Sequence, residues 1–245
     1  MQDWLNPDLD PVPHAAAFAR HGRVRIPGVL VPAVAERLHV CLRYETPWHL
    51  VFNDGAAVRV LDPATLSAER RARLEREATS RARDGFQFLY EAYPMVDARR
   101  GGWDPGLMLH DLLGVLNGPA MLDLVRGVTG LPGLTGADAQ ATRYRPGHFL
   151  TRHDDCGERA ERRRVAYVLG LTPIWDPDWG GMLTFQDGDE GPGGAGPVEG
   201  GRVVESWPPV FNSLSLFRVP VPHAVGIVAP FARADRLSVT GWWRD

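Results

Sequence analysis

The sequence changes character near its midpoint, and this change constrains the fold more than any other feature. Before residues 130–136 the chain is dominated by helical patterns, and after them come short runs of β-branched and aromatic residues separated by glycine and proline. Their length and composition are typical of strands. The runs are 139–144, 165–169, 182–185, 213–217 and 237–240. Several short strands after a helical block predict a mainly β protein with packed helices (α+β), a jelly-roll core of the double-stranded β-helix type whose N-terminal helices support one sheet.

The helical half contains four predicted helices. Residues 31–42 have apolar positions at i, i+3, i+4 and i+7, which predicts an amphipathic helix docked on the sheet. Residues 67–83 carry Glu and Arg at i,i+4 spacing, which indicates an exposed helix. Two shorter helices are predicted over 104–118, with Pro105 in the first turn, and over 119–128. We expect one domain over residues 1–245, with 1–135 as a mainly helical support region and 136–245 as the core that carries the site.

The composition of the chain indicates which kinds of partner and which cellular compartment to expect. The chain has 245 residues, of which 44% are hydrophobic and 23% charged, as expected for a folded globular protein. The net charge of -3 disfavours nucleic acid as a substrate. No apolar run approaches the roughly 18 residues of a membrane span, and the N-terminus lacks a signal-peptide pattern. With only two cysteines, Cys41 and Cys156, the sequence favours the reducing cytoplasm.

Three residues in the C-terminal half have the chemistry of a metal site. His153 and Asp155 are separated by one residue, and His223 follows near the end of the chain. On a strand, residues i and i+2 point to the same face, so His153 and Asp155 could bind one metal while Asp154 points away. Two imidazoles and one carboxylate leave positions of an octahedral metal open for other ligands. This pattern favours a catalytic non-haem iron site, although a His-x-Asp triplet alone is common by chance.

A possible anion receptor lies on the last predicted strand. Arg236 and Ser238 share strand parity, so both are expected to face the barrel interior. A guanidinium beside a hydroxyl suits a carboxylate, because its planar fork donates two parallel hydrogen bonds. Trp242, further along the same strand, is expected to be a core aromatic residue. Tyr167 could belong to the core or line the pocket.

Five ordered blocks resemble the prolyl-hydroxylase branch of the Fe(II)/2-oxoglutarate-dependent dioxygenases. They cover most of the chain from Thr142 to the C-terminus. The blocks are Tyr144–Gly147 with His153 and Asp155, Trp179–Leu183, Pro209–Asn212, Pro222–His223, and Arg236–Trp242. More loosely, 22–24, 46–48 and 53–54 resemble the N-terminal part of the subgroup that includes the ribosomal-protein prolyl hydroxylases, whose catalytic domain is the relevant comparison.

The resemblance implies a role for each matched residue. His153, Asp155 and His223 would hold Fe(II), and Arg236 would bind the distal carboxylate of 2-oxoglutarate. Tyr144 and Ser238 would support this contact through their hydroxyl groups. Arg233 is the competing arginine, but it falls in a predicted turn, whereas Arg236 begins the strand.

The resemblance also implies the reaction. Dioxygen would be the second co-substrate, ascorbate a possible stimulant, and succinate and carbon dioxide the co-products of hydroxylating a prolyl residue in a protein or peptide. The carboxylate of Asp155 implies hydroxylation, because related halogenases lack it and place halide there.

Three alternatives remain open at this point. The substrate could be a free amino acid or another small metabolite. The chain could instead be a jelly-roll module or sensor that binds metal or 2-oxoglutarate without turnover. Finally, the acidic glycine-rich segment 186–201 is predicted to be a surface insertion, with a calcium loop as the weaker interpretation.

Overall fold

The architecture is a long, curled antiparallel sheet with helices packed on one of its faces. A computed structural model describes residues 4–55, 57–156, 162–187 and 201–245. The strands in chain order are β1 Arg23–Pro27, β2 His49–Asn53, β3 Val58–Leu61, β4 Phe88–Tyr93, β5 Gly136–Ala137, β6 Gln140–Tyr144, β7 Phe149–His153, β8 Arg163–Gly170, β9 Leu183–Asp187, β10 Arg202–Trp207, β11 Ser213–Arg218, β12 His223–Val225 and β13 Arg236–Arg244. The strand order is β1-β11-β8-β13-β6-β4-β7-β12-β9-β10. This arrangement confirms the predicted jelly-roll class.

Helices supply the outer layer. They are α1 Val12–His21, α2 Pro32–Val40, α3 Ala68–Arg81, α4 Met95–Gly101, α5 Met108–Leu116 and α6 Pro119–Thr129, and a π-helical turn, Cys41–Glu45, extends α2. The predicted helices at 31–42, 67–83 and 119–128 are therefore confirmed within a few residues. The predicted start at residue 104 is wrong, because the helix begins at Met108 and Asp104 has a positive φ of 47°. No helix in the described part of the chain is long and apolar enough to cross a membrane.

The first 135 residues also contribute four strands that the sequence patterns did not reveal. β1 pairs with β11 at one edge of the sheet. β4 pairs with β6 and β7 in the middle, and it also carries β2. These strands are defined by partners that lie far away in the sequence, so local patterns identify them poorly.

Alternation along β13 separates the core from the site. Leu237, Val239 and Trp243 are buried in the main hydrophobic cluster with the helices. Arg236, Thr240 and Trp242 line a cavity on the opposite face. Successive side chains of a strand point to opposite faces, so one strand builds both the core and the cavity wall.

A buried ionic network ties α3 to the sheet. Glu91 on β4 is fully buried and accepts hydrogen bonds from Arg71 of α3, at 2.8 Å, and from Arg143 of β6. Opposite charges at this spacing outweigh the opposing effect of burial and lower the pKa of Glu91. Nearby His148 is also buried, and burial lowers its pKa to about 4. Helix α3 is thus exposed, as predicted, but it is anchored by a charge pair that the sequence analysis missed.

Candidate metal centre

The three predicted metal ligands converge at one end of two neighbouring strands. His153 ends β7, His223 begins β12, and the two residues are directly paired in the antiparallel register. Asp155 follows two residues after β7. One ligand atom from each of the three residues lies within 4.8 Å of the others. The structure therefore places both histidines and the aspartate close enough to share one metal ion.

The predicted reason for the position of Asp155 is wrong. β7 ends at His153, so Asp155 is not on the strand and reaches the site through a turn. Its φ of 64° lies in the left-handed region, which aspartate tolerates better than most residues. Asp154 is outside the cluster of ligand atoms, and its carboxylate accepts a hydrogen bond from the Cys156 backbone N–H at 2.8 Å.

Both histidines are oriented with Nε2 towards Asp155. The Nδ1 atom of His153 is 3.0 Å from the carbonyl oxygen of Thr151, and that of His223 is 2.8 Å from the carbonyl oxygen of Val221. An Nδ1–H that donates to a carbonyl leaves the Nε2 lone pair free, which is the usual arrangement for a metal-binding histidine. The Nε2 atoms lie 3.3 Å and 3.6 Å from the Asp155 carboxylate oxygens. The donor set and its orientation fit a divalent transition metal.

The protonation states of the site also suit a metal ion. Burial raises the pKa of Asp155, but hydrogen bonds and charges from its neighbours, chiefly His153 and His223, outweigh burial and lower it to about 2. Burial and the proximity of His153 lower the pKa of His223 to about 4. A carboxylate anion and a neutral imidazole are the forms that bind metals.

Arg236 lies in the same cavity as the three ligands. This cavity has a volume of about 350 Å³, and its lining also includes Tyr144, Phe88, Leu150 and Val225. Arg236 is 3% exposed, and it forms no ion pair with any carboxylate in the described part of the chain. Its Nε atom is buried without a hydrogen-bond partner. A buried, uncompensated guanidinium is costly, so this end of the cavity is suited to an anionic ligand.

Tyr144 and Ser238, the residues predicted to support Arg236, make different contacts with its guanidinium group. The Arg236 guanidinium lies 5.2 Å from the centre of the Tyr144 ring, and Tyr144 lines the cavity. Ser238 instead touches Arg236 directly, because its Oγ accepts a hydrogen bond from Nη1 at 3.3 Å. Arg233 is exposed and lines a separate groove, whereas Arg236 lines the cavity with the three candidate ligands. Gly181 makes room for Arg236, since a Cβ there would lie 3.3 Å from Arg236 Cδ.

A second guanidinium was missed by the sequence analysis. Arg25 of β1 donates from Nε to Ser215 Oγ at 3.3 Å, and it lines a small crevice together with Arg236 and Ser238. Burial and the charge of Arg236 lower the pKa of Arg25 to about 10. Two guanidinium groups near one another increase the preference of this region for an anion.

Trp242 is the other missed residue. Its Nε1–H donates to Asp155 Oδ2 at 2.8 Å, so the expected core aromatic in fact contacts a candidate metal ligand. The Arg163 guanidinium lies 3.6 Å from the centre of the Trp242 ring. Strand alternation could have identified Trp242 as a site residue, because Trp242 is expected on the same face of β13 as Arg236 and Ser238. Tyr167 does line the cavity, while its hydroxyl donates to the Asp138 carbonyl oxygen at 2.9 Å.

Cys156 and the acidic segment 186–201 are two further features named from the sequence. Cys156 is exposed and lines the cavity next to Asp155. The calcium interpretation of the acidic segment rests on Asp187 and Asp189, and Asp189 lies outside the described residues. Asp187 belongs to β9 and pairs with Arg202 at 2.8 Å.

The sequence of the C-terminal half matches a known family. Residues 139–244 match the family model of the 2OG-Fe(II) oxygenase superfamily. This part of the chain is therefore similar to members of that superfamily. The match contains all three candidate metal ligands together with Arg236, Tyr144 and Ser238.

Prolyl hydroxylases are among the proteins to which the chain is similar. The chain is 36% identical over 108 residues to prolyl 3-hydroxylase OGFOD1 of Mus musculus, a segment that covers 43% of this chain and 18% of that protein. The chain thus matches about a fifth of the length of this curated relative. Among solved structures, it resembles a prolyl-4-hydroxylase from Pseudomonas putida, with a TM-score of 0.58, 22% identity, and coverage of 96% of this chain and 98% of that chain.

A second solved structure has a bound peptide. It is a prolyl hydroxylase from Trichoplax adhaerens in complex with a fragment of the hypoxia inducible factor oxygen degradation domain. The TM-score is 0.57 and the identity is 21%, with coverage of 96% of this chain and 89% of that chain. At this identity the likeness establishes the shared fold.

Proposed function

We propose that this protein is an Fe(II)- and 2-oxoglutarate-dependent dioxygenase that hydroxylates a prolyl residue of a protein or peptide. The observation that carries the proposal is the presence of the His153, Asp155 and His223 cluster and of the buried Arg236, which forms no ion pair in the described residues, in one cavity. A metal site alone could serve many reactions. A metal site that faces a buried arginine is suited to a metal-chelating ligand with a second, distal carboxylate.

In this proposal His153, Asp155 and His223 hold Fe(II) on one side. The metal would supply the chemistry of dioxygen activation that protein side chains cannot perform. The chain fixes the ligand geometry through the two Nδ1 contacts to backbone carbonyls and through the Trp242 hydrogen bond to Asp155. Such outer contacts keep ligand atoms aimed at the ion.

Arg236 would hold the distal carboxylate of 2-oxoglutarate. Ser238 keeps the guanidinium in place through its hydrogen bond, and Tyr144 packs beside it. Arg25 adds positive charge on the same face. The apolar walls formed by Phe88, Leu150 and Val225 would exclude water from the reacting groups.

The prolyl substrate is supported by the kinship to prolyl 3-hydroxylase OGFOD1. Incubating the iron-loaded protein with 2-oxoglutarate, ¹⁸O-labelled dioxygen and proline-containing peptides should give succinate and peptides with one added ¹⁸O atom. An extract of small metabolites, assayed in parallel, tests the competing substrate class. Labelled metabolites without labelled peptides would redirect the proposal to a small-molecule hydroxylase. Normal binding of iron and 2-oxoglutarate without oxygen-dependent succinate would indicate a binding module.

Further features of the proposal concern the protein as a whole. We propose that residues 1–245 act as one dioxygenase domain, because helices α1, α2, α4, α5 and α6 share the main hydrophobic cluster with strands of the sheet, and α3 packs on β2 and β4. We propose a cytoplasmic location, because a chain of this length with two cysteines, Cys41 and Cys156, is typical of a reducing compartment. Ascorbate is proposed to stimulate activity by keeping the metal reduced.

A further inference from the structure

A second large concavity lies on the face of the sheet opposite the metal cavity. It has a volume of about 880 Å³ and is called here the arginine groove. Its lining includes Arg43, Arg143, Arg145 and Arg233, together with Tyr44 and Ile174. Leu237 and Arg143 are directly paired on β13 and β6, and each is adjacent in sequence to a residue that lines the metal cavity. The two sites are therefore back to back across these strands.

The charge of the arginine groove contrasts with that of the chain. Four arginines line it, and Asp235 is the one acidic residue among the described lining residues. The chain as a whole has a net charge of -3. Arg43 and Arg233 are exposed and form no salt bridge with a carboxylate in the described residues, although Asp235 interacts electrostatically with Arg43. A concave surface with one sign of charge attracts ligands of the opposite sign.

The other two arginines of the groove, Arg143 and Arg145, lie near a buried carboxylate. Arg143 and Arg145 both approach the buried carboxylate of Glu91, Arg145 at 3.7 Å. Glu91 is shared with Arg71 as well, at 2.8 Å, so one negative charge serves three guanidinium groups. The groove therefore retains excess positive charge, and Arg143, which hydrogen-bonds to Glu91, loses little conformational freedom when a ligand binds.

The groove also presents apolar surface. Tyr44 is 72% exposed and Ile174 is 77% exposed. The Arg43 guanidinium lies 5.3 Å from the centre of the Tyr44 ring. Arginine and aromatic residues dominate the binding energy of protein interfaces. A small inorganic anion would make no use of Tyr44 and Ile174, whereas a peptide with acidic and apolar side chains would use the whole surface.

We propose that the arginine groove is a docking site for an acidic segment of a partner protein that also carries apolar side chains. Carboxylates of the segment pair with Arg43, Arg145 and Arg233. Its apolar side chains cover Tyr44 and Ile174. The site is separate from the metal cavity, so the proposal stands whether or not the catalytic proposal is correct.

The test measures binding of a fluorescein-labelled peptide in which glutamate alternates with leucine, by fluorescence anisotropy on the full chain. Salt is kept near physiological ionic strength, where screening acts over about 8 Å. We expect saturable binding that is roughly tenfold or more weaker in the double variant Arg43→Glu/Arg233→Glu, because two rim contacts become repulsive. The matched control Arg20→Glu/Arg70→Glu changes the net charge equally at exposed arginines outside the groove and should bind as the wild type does.

Three results would overturn the proposal. The first is equal weakening in both double variants, which would show a general effect of net charge. The second is unchanged peptide affinity in Tyr44→Ser together with binding of inorganic phosphate at the groove, which would indicate a small-anion site. The third is a single-stranded RNA that binds more tightly than the peptide and competes with it. Circular dichroism of each variant confirms that it is folded before its affinity is compared.

Discussion

Replacing Trp242 with phenylalanine tests whether residues around the metal ligands set metal affinity. The substitution keeps an aromatic ring beneath Arg163 but removes the N–H that donates to Asp155 Oδ2 at 2.8 Å. A hydrogen bond to a charged group contributes about 1.5–3 kcal/mol. Since about 1.4 kcal/mol corresponds to a factor of ten, the metal dissociation constant should rise by roughly 10- to 100-fold, the usual range for such outer contacts.

The next residue provides the matched control. Trp243 is fully buried on the opposite face of β13, and its Nε1 has no hydrogen-bond partner. Trp243→Phe is thus the same chemical change without the contact to Asp155. It should lower thermal stability by leaving a cavity, while metal affinity stays near that of the wild type.

The assay is an anaerobic titration of Fe(II) against a competing chelator, with each variant measured at the same temperature. If Trp242→Phe binds iron within about twofold of the wild type, its hydrogen bond does not position Asp155. If Trp243→Phe weakens binding equally, the effect is one of packing. Either result refutes the reasoning.

Three further predictions address the co-substrate, the pH dependence of stability and the buried network. Arg236→Gln should weaken 2-oxoglutarate binding strongly while Arg233→Gln should not, as measured by calorimetry with Mn(II) in place of iron; equal effects would reject Arg236 as the anchor. Burial lowers the pKa of His148 from 6.5 to about 4. The folded state therefore favours the neutral imidazole, and the contribution of His148 to stability is complete above pH 6.5. As the pH falls from 6.5 towards 4, up to about 3 kcal/mol of this stability is lost. Urea unfolding should therefore show a steeper loss between pH 7 and 5 in the wild type than in His148→Gln, and parallel curves would argue against a buried neutral imidazole. Glu91→Gln should lower the free energy of unfolding by about 3–5 kcal/mol, because it leaves Arg71 and its neighbours without their buried counter-charge; a loss below about 1 kcal/mol at pH 7 would show that the network contributes little.

The elements that could be predicted from sequence are those with a strong local pattern. α2 has its apolar positions on one side, and α3 has its charges at helical spacing. β13 alternates between core and cavity residues. The four strands β1–β4 escaped prediction because their partners, such as β11 for β1, are distant in sequence.

The identities of the site residues could be predicted better than their positions in the fold. The identities of His153, His223 and Arg236 follow from chemistry and family resemblance. The position of Asp155 depends on a turn with positive φ, which a strand-based argument cannot anticipate. Trp242 and Arg25 were missed because indole and guanidinium groups have many structural uses, and only the folded sheet shows which groups they meet.

The most direct test of the account is a crystal structure of the protein grown without oxygen in the presence of Fe(II) and 2-oxoglutarate. We expect the anomalous signal of iron within bonding distance of His153 Nε2, His223 Nε2 and one oxygen of Asp155. The distal carboxylate of 2-oxoglutarate should contact the Arg236 guanidinium inside the cavity. An iron peak elsewhere, or a 2-oxoglutarate carboxylate held by Arg233, would contradict the proposed site.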